Sequence, residues 1–418
     1  MLLAACLLSL GFAIAAEKSD VLRAGVAKVD ITPTKPVALS GYAGRKELSH
    51  GIHDPLSARV LAFEQDGKRL VLVSSDLIGF YGETESMRKA ILAACQLDPS
   101  DLFLTAIHTH SAPTVTRGER AHANNVEYTN SLEQQLVDLT REAIAHVVPV
   151  QIGVGSGSSP VGANRREVVQ DPSGKRRIVL GRNPLGPVDR EVQVLKVTPA
   201  GAREPSAVVF AYATHSTSLG PRNLLISGDV HGLAAQFIEK HFDPGLIALP
   251  FAGASGDVDP WFRVLPKFET ADGWIPEPVL MGTMLGEEVA VVSRAIQKPT
   301  ASSPIKSARK TLSLPGKPRG EAASSTAAPV EFNVTVGRVG EIAVVGLGGE
   351  VFNQIGRAIK DGSPFKHTFV FTHCNGAGGY LPTRQSYSDG GYEVQGSRFA
   401  PGADEEVIKQ AVQMLKEL

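Results

Sequence analysis

Short apolar runs alternate with amphipathic windows of helical period along most of this sequence, and that order restricts the fold to the α/β class. "RLVLVSSDLIGF" reads as a strand ending near Asp76, and "ETESMRKAILAACQL" as the helix after it. "DLFLTAIHTH" is the next strand. "NSLEQQLVDLTREAIAHVV" carries apolar residues at 132, 136, 139 and 143, a helical spacing, and Asn130 with Glu133 predicts a capping box at its start. A second set follows: "SAVVFAYATHS" (strand), "LAAQFIEKHF" (helix), "LIALPFAGASGDVDP" (strand, then loop) and "VLMGTMLGEEVAVVSRAIQ" (helix). The Pro-, Gly-, Ala- and Ser-rich stretch 315–329 reads as an exposed loop. After it come "GEIAVVGLGGE", the helical "VFNQIGRAIK", the strand "HTFVFTHC" and a Gly/Tyr-rich loop. No internal repeat or domain break is marked. The expectation is one α/β domain over 21–418, built from mixed sheets with flanking helices.

The 418 residues can bury a substantial core, and 43% hydrophobic with 20% charged residues is an ordinary globular balance. A formal net charge of -1 without a long basic run excludes nucleic acid as an expected partner. Residues 1–16, "MLLAACLLSLGFAIAA", are apolar and end in small residues, as in a signal peptide with cleavage after Ala13-Ile14-Ala15. "LAAC" at 3–6 gives the alternative of a lipid anchor. The expected location is therefore exported, periplasmic or secreted. Cys95 and Cys374 then remain, and two separate buried thiols are expected rather than a disulfide scaffold.

Polar residues recur at the downstream ends of the apolar strands: Asp76, His108, His110, His215, Asp257 and Glu350. Ligands of α/β folds bind outside the carboxyl ends of strands, so a site at strand ends is expected. If "FLTAIHTH" stays extended, His108 and His110 share one face. Metal ligation, acid–base work and simple polarity at a strand end all remain open for that pair. His108, His215 and Glu350 would supply a two-His, one-Glu set for zinc, although no HExxH pattern is present. The metal-free alternative is a nucleophile at Ser111 or Ser216, each close to a histidine but without a GxSxG elbow.

Several ordered stretches together resemble the neutral/alkaline non-lysosomal ceramidase family: "GVAKVDITP", "GYAGR", "GIHDPLSARVLAF", "HTHSAPT", "GANRRE", "THSTS", "LLISGD", "ASGDVDP", "GLGGEVF" and the closing tyrosine loop. The resemblance implies a zinc-dependent amidohydrolase of the N-acylsphingosine amidohydrolase type, with a metal-activated water cleaving the amide of ceramide or a related N-acylated lipid. It implies Zn2+ held by His108, His215, Glu350 and Tyr380. His110, Arg165 and Tyr392 match residues around the scissile carbonyl. Tyr392 follows Tyr380 by the family's interval of twelve positions.

The departures bear on substrate. The family carries an essential serine where "GDVDPW" places Asp259, with Trp261 in place of an asparagine. Asp259 reads either as a base beside the metal or as turn chemistry before Pro260. Longer family members carry a further C-terminal domain after the tyrosine loop, which this sequence does not include, so lipid presentation is expected to differ. "WFRVLPKFETADGWIPEP" holds both tryptophans and reads as an acyl-chain pocket, a membrane contact or simple packing. The basic segment "GKRRIVLGR", 174–182, reads as a solvated face, with contact to anionic headgroups as the alternative. The leading expectation is thus a hydrolase of a lipid-like amide with peripheral membrane contact. The rivals are a related metallohydrolase for another amide or ester, and a catalytically degraded lipid- or glycan-binding homologue. The sequence leaves the oligomeric state open.

Overall fold

The apolar runs become strands whose two faces are both buried, which makes the sheets inner layers of the molecule. The computed structural model describes residues 21–242, 244–262, 276–299, 303–318 and 327–418. The apolar segment 1–16, most of the tryptophan-containing loop (263–275) and part of the 315–329 stretch lie outside the described residues.

In chain order the first half contains β1 (Arg23–Asp30), β2 (Ser57–Gln65), β3 (Lys68–Ser75), α1 (Thr84–Cys95), β4 (Leu102–Ala106), α2 (Ala123–Ala145) and β5 (Val148–Ser158). A hairpin of β6 (Gly162–Gln170) and β7 (Arg176–Asn183) precedes β8 (Glu191–Pro199), β9 (Ala207–Tyr212), α3 (Asp229–His241) and β10 (Ile247–Ala252). Then come β11 (Val258–Pro260), α4 (Pro276–Ala295), β12 (Ile305–Leu314), β13 (Val330–Val339), β14 (Ile342–Leu347) and β15 (Glu350–Val351). The chain closes through α5 (Asn353–Gly362), β16 (His367–Phe371), β17 (Tyr380–Leu381), α6 (Tyr392–Gly396) and α7 (Ala403–Glu417).

An eight-stranded mixed sheet has the order β10-β9-β8-β5-β1-β2-β3-β4, and a four-stranded one the order β12-β13-β14-β16. The alternation of side chains divides each strand between two cores. Ala58, Val60 and Ala62 of β2 join one core, while Leu61 and Phe63 join another. Val208, Phe210 and Tyr212 of β9 point away from Ala207, Val209 and Ala211 in the same way. In β14, Ile342 and Val344 meet the larger sheet, and Ala343, Val345 and Leu347 face the other way. The two sheets therefore pack face to face. Residues of α1 and α2 cover one half of the larger sheet and those of α3 and α4 the other, while α5 and α7 cover the smaller sheet. The result is four layers: helices, sheet, sheet, helices. Close approach of the sheets explains Gly337, where a Cβ would lie 2.6 Å from Leu70 and 3.2 Å from Phe103.

The α/β class, mixed sheets and flanking helices match the expectation. The capping box does not. Helix α2 starts at Ala123, with the His122 side chain accepting from the Asn124 amide, so Asn130 lies within the helix. Asn130 and Glu133 instead both hold Arg117, at 2.8 and 3.1 Å. A tertiary ion cluster uses the residues whose spacing predicted a cap. Cys95 and Cys374 are separate buried thiols.

Candidate metal centre

The site assembles where the loops leave the strands. β4 ends at Ala106, so the histidine pair is not on a strand, and shared-face geometry does not bring the rings together. His108 takes a left-handed φ of 61° that turns the chain and sets the two rings edge to face, with centroids 4.9 Å apart. Such a conformation is uncommon for a residue with a Cβ, costs about 1–3 kcal/mol, and collects at functional sites. His215 lies just past the end of β9. Glu350 and Tyr380 are directly opposite each other in the two-residue parallel ladder of β15 and β17. Thirty positions apart in sequence, they are neighbours through that register.

Hydrogen bonds fix the protonation of the two deepest rings. His108 Nδ1 lies 2.8 Å from the Ile78 carbonyl, and His215 Nδ1 lies 2.8 Å from that of Ser255 and 3.0 Å from that of Val258. A carbonyl only accepts, so each ring donates from Nδ1 and turns Nε2 towards Glu350. Both Nε2 atoms lie 3.5 Å from Glu350 Oε2, a buried oxygen with no hydrogen-bond partner among the described residues. Two imidazole nitrogens and a carboxylate oxygen thus converge on one point, an arrangement that a bound cation would satisfy. Two imidazoles and a carboxylate are donors that Zn2+ accepts. The residues present fit a divalent metal.

His110 stands beside this group, with Nε2 3.3 Å from His108 Nε2 and a buried Nδ1 that has no hydrogen-bond partner among the described residues. The ligand atoms of His108, His110 and His215 all lie within 4.8 Å of one another. Burial and the neighbouring His108 and His215 hold His110 well below the ordinary imidazole range, so it is neutral. Its backbone carbonyl accepts from Arg45, and its ring meets the edge of Tyr42 at 4.8 Å. Gly41 makes this possible: with φ 96°, a Cβ there would sit 2.3 Å from His110 Nδ1.

Arg165 is buried and fully engaged. Its Nε donates to Glu393 at 2.8 Å, Nη1 to Asp259 at 3.2 Å, and Nη2 to the Tyr380 hydroxyl at 3.1 Å. Nη1 also lies 3.3 Å from His215 Nε2. Burial and the adjacent Glu350 carboxylate push the Tyr380 phenol well above its ordinary value, so it is protonated in this arrangement. Tyr392 is 53% exposed at the start of α6, its ring centroid 5.7 Å from that of Tyr380, which puts it at the mouth.

Asp259 occupies a strand, not a turn: it sits in β11, paired with Ala163 of β6. Its carboxylate is shared by Arg165 at 3.2 Å and Arg182 at 3.3 Å. Two guanidiniums stabilise the anion and weaken it as a base. Asp259→Ser is therefore expected to leave two cations without their common partner. Stability should fall by about 3 kcal/mol, the low end for breaking a buried pair because Arg182 is partly exposed. Chemical denaturation and steady-state kinetics of the purified variant check this. A variant as stable as wild type and faster on ceramide would contradict it.

Other strand-end polar residues serve the scaffold. Asp76 pairs with Arg59 at 2.8 Å and caps the Ser57 amide. Asp257 accepts from the Asn353 amide, the Asn353 side chain and Asn164, and burial pushes its carboxyl up to about 6. Ser216 bonds His231 at 2.8 Å, but both are fully buried, and Ser111 Oγ accepts from Asn223. Neither serine has the exposure a nucleophile needs.

Two residues at the centre were not assigned a role by sequence reasoning. His373 stacks on His108 with centroids 3.8 Å apart and an interplanar angle of 10°, and it too is left-handed, at φ 52°. Its closeness in sequence to the tyrosine loop was the available signal. Glu393 is wholly buried and holds both Arg165 and Arg166 at 2.8 Å. Nothing in "GYEVQG" distinguishes it from a surface acid at a helix start.

The family profile described as "Neutral/alkaline non-lysosomal ceramidase, N-terminal" matches residues 22–260. Neutral ceramidase of Oryza sativa subsp. japonica is 29% identical over 259 residues, 57% of this chain and 31% of the relative. Neutral ceramidase 2 of Arabidopsis thaliana is 27% identical over 237 residues, 53% of this chain and 30% of the relative. The chain thus matches only about a third of the length of these curated relatives. The crystal structure of neutral ceramidase from Pseudomonas aeruginosa superposes with a TM-score of 0.79 at 20% identity, covering 95% of this chain and 74% of that one. That fold match covers more of this chain than the profile match, which ends at residue 260.

Proposed function

The chain belongs to the neutral/alkaline non-lysosomal ceramidase family, and from that premise we propose that it is a zinc-dependent hydrolase of the amide bond in ceramide or a related N-acylated lipid. One observation carries the reading: the Nε2 atoms of His108 and His215 converge on Glu350 Oε2, which has no hydrogen-bond partner among the described residues. We assign His108, His215 and Glu350 as ligands, with Tyr380, the register partner of Glu350, completing the set. Glu350 takes precedence over His110 because it is anionic and equidistant from both rings. A divalent ion held there would supply Lewis acidity and a water acidified towards neutral pH.

The chain's own groups do the rest. The Ile78 and Ser255 carbonyls keep the two ligand imidazoles in one tautomer and orientation. His110 is neutral and close to His108, and so can donate a hydrogen bond to an amide oxygen as negative charge develops there. Arg165 orients the Tyr380 phenol and, through Asp259 and Glu393, is itself fixed in place. Tyr392, at the mouth, is placed to contact the substrate as it enters.

Asp259 favours a second reading within the same chemistry. An ion-paired carboxylate now stands where the family has a small hydroxyl, which supports an amide or ester other than ceramide. The test is a hydrolysis panel of ceramides, other N-acyl amides and the corresponding esters with zinc-loaded protein, following free fatty acid. Cleavage of ceramide supports the first reading, and cleavage only of another amide or ester supports the second. A zinc-loaded, folded protein that cleaves nothing in the panel overturns both.

A further inference from the structure

The β6–β7 hairpin carries a combination of residues that the proposed site does not use. Its turn is capped by Asp171, which accepts from the Ser173 and Lys175 amides. Directly after that turn, Lys175, Arg176 and Arg177 follow one another, all exposed. None of the three has a carboxylate within salt-bridge distance among the described residues, and Arg177 adds to the Ser173 hydrogen bond in holding the Asp171 carboxyl low. β7 is an edge strand of its three-stranded sheet.

Large apolar side chains are exposed on the same hairpin, on the face that Arg176 shares, while the register turns Arg177 to the other face. Val168 is 42% exposed and Leu180 45%, and the register places Val168, Ile178 and Leu180 on one face of the hairpin, together with Arg176. Leu185, just past β7, is 95% exposed. Phe262, 55% exposed, follows Trp261, whose carbonyl accepts from Arg182 of β7. A solvated charged surface does not require this company of leucine, valine and phenylalanine. Exposed apolar groups rimmed by cations are what an anionic bilayer accepts: the cations meet the headgroups and the apolar side chains enter the acyl boundary. The inner end of the hairpin reaches the metal centre through Arg166 and Glu393, the same acid that holds Arg165.

We propose that the β6–β7 hairpin, through Lys175, Arg176, Arg177 and the apolar residues Val168, Leu180, Leu185 and Phe262, docks the protein on an anionic lipid bilayer with the metal centre facing it. The inference deepens the lipid-amide reading and rests on it for its purpose, but binding to vesicles is measured without any hydrolysis. The hairpin would hold the enzyme where an N-acylated lipid resides, so that substrate enters from the membrane past Tyr392 rather than from water.

The experiment is co-sedimentation of the full chain with vesicles of phosphatidylcholine alone and of phosphatidylcholine mixed equally with phosphatidylglycerol. The wild type is expected to bind the mixed vesicles and to be released by salt. The triple variant K175Q/R176Q/R177Q should bind about a hundredfold more weakly, since each cation near an anionic surface contributes roughly a factor of five. L180S/L185S should bind more weakly at equal charge. Both variants should unfold at the wild-type temperature and cleave a short-chain, water-soluble amide at the wild-type rate. A wild type that ignores the mixed vesicles, or a triple variant that binds them as tightly, overturns the proposal. If the wild type binds them but cleaves no lipid amide, the docking surface stands and the substrate reading falls.

Discussion

His108→Ala is expected to lower turnover of the cleaved amide by about a thousandfold or more, the equivalent of losing several kcal/mol of metal-derived stabilisation. The variant should still fold. His108 contributes one hydrogen bond to the scaffold, from Nδ1 to the Ile78 carbonyl, so its removal takes little from the fold. His110→Ala distinguishes the two sets of donors. If Glu350 completes the site, losing His110 should cost about 10–100-fold and leave the metal bound, as for a group beside the ligands. A loss equal to that of His108→Ala, with loss of metal, would make His110 a ligand. Thermal unfolding gives an independent readout. Zinc at a hundredfold over its dissociation constant should stabilise the wild type by about 2.7 kcal/mol, and His108→Ala by far less.

The second large effect is expected at Glu393. This side chain is wholly buried and carries the ion pairs of Arg165 and Arg166, which are themselves nearly buried. Glu393→Ala would leave Arg166 without its buried carboxylate partner and Arg165 with Asp259 alone, and breaking a buried pair in this way costs about 3–5 kcal/mol. Urea denaturation should register that loss. The chemistry should suffer as well, because Arg165 bonds the Tyr380 hydroxyl and Asp259 only while Glu393 fixes its Nε. Glu393→Gln keeps an acceptor for one of the two arginines and should recover part of the stability. A Glu393→Ala protein as stable as wild type would mean that the two arginines find other partners, and the positioning role would fail.

The order of elements was legible because period and punctuation are local. Apolar runs such as "RLVLVSS" and "AVVFAY" became β3 and β9, and the helical windows became α1, α3, α4 and α5. The layering was less accessible. A strand apolar on both faces says that it is buried, but not that a second sheet, rather than helices, lies on one side. The close approach of sheet to sheet at Gly337 appears only in three dimensions. The start of α2 was misplaced for a related reason. Asn130 and Glu133 have capping-box spacing, yet Arg117 binds both from outside the helix.

The site shows the same division. His108 and His215 lie just past strand ends, where polar residues of an α/β chain gather, and the resemblance to a known family linked them to Glu350 and Tyr380. What joins the last two is the register of a two-residue ladder, which no spacing rule encodes. The left-handed turn at His108 was also hidden, since the alternation of "FLTAIHTH" predicts an extended chain through both histidines. Asp259 was visible as a departure from the family, but its meaning depended on Arg182, whose neighbours in sequence read only as a basic surface.

The central claim is that the convergence of His108, His215 and Glu350 is a metal site. Its most direct test is the metal content of purified protein, wild type and His108→Ala, after equilibration with zinc and removal of the excess. The expected result is one tightly held zinc per wild-type chain and a folded His108→Ala protein that retains little or none. A metal-free wild type of undiminished stability, or unchanged zinc in His108→Ala, would contradict it.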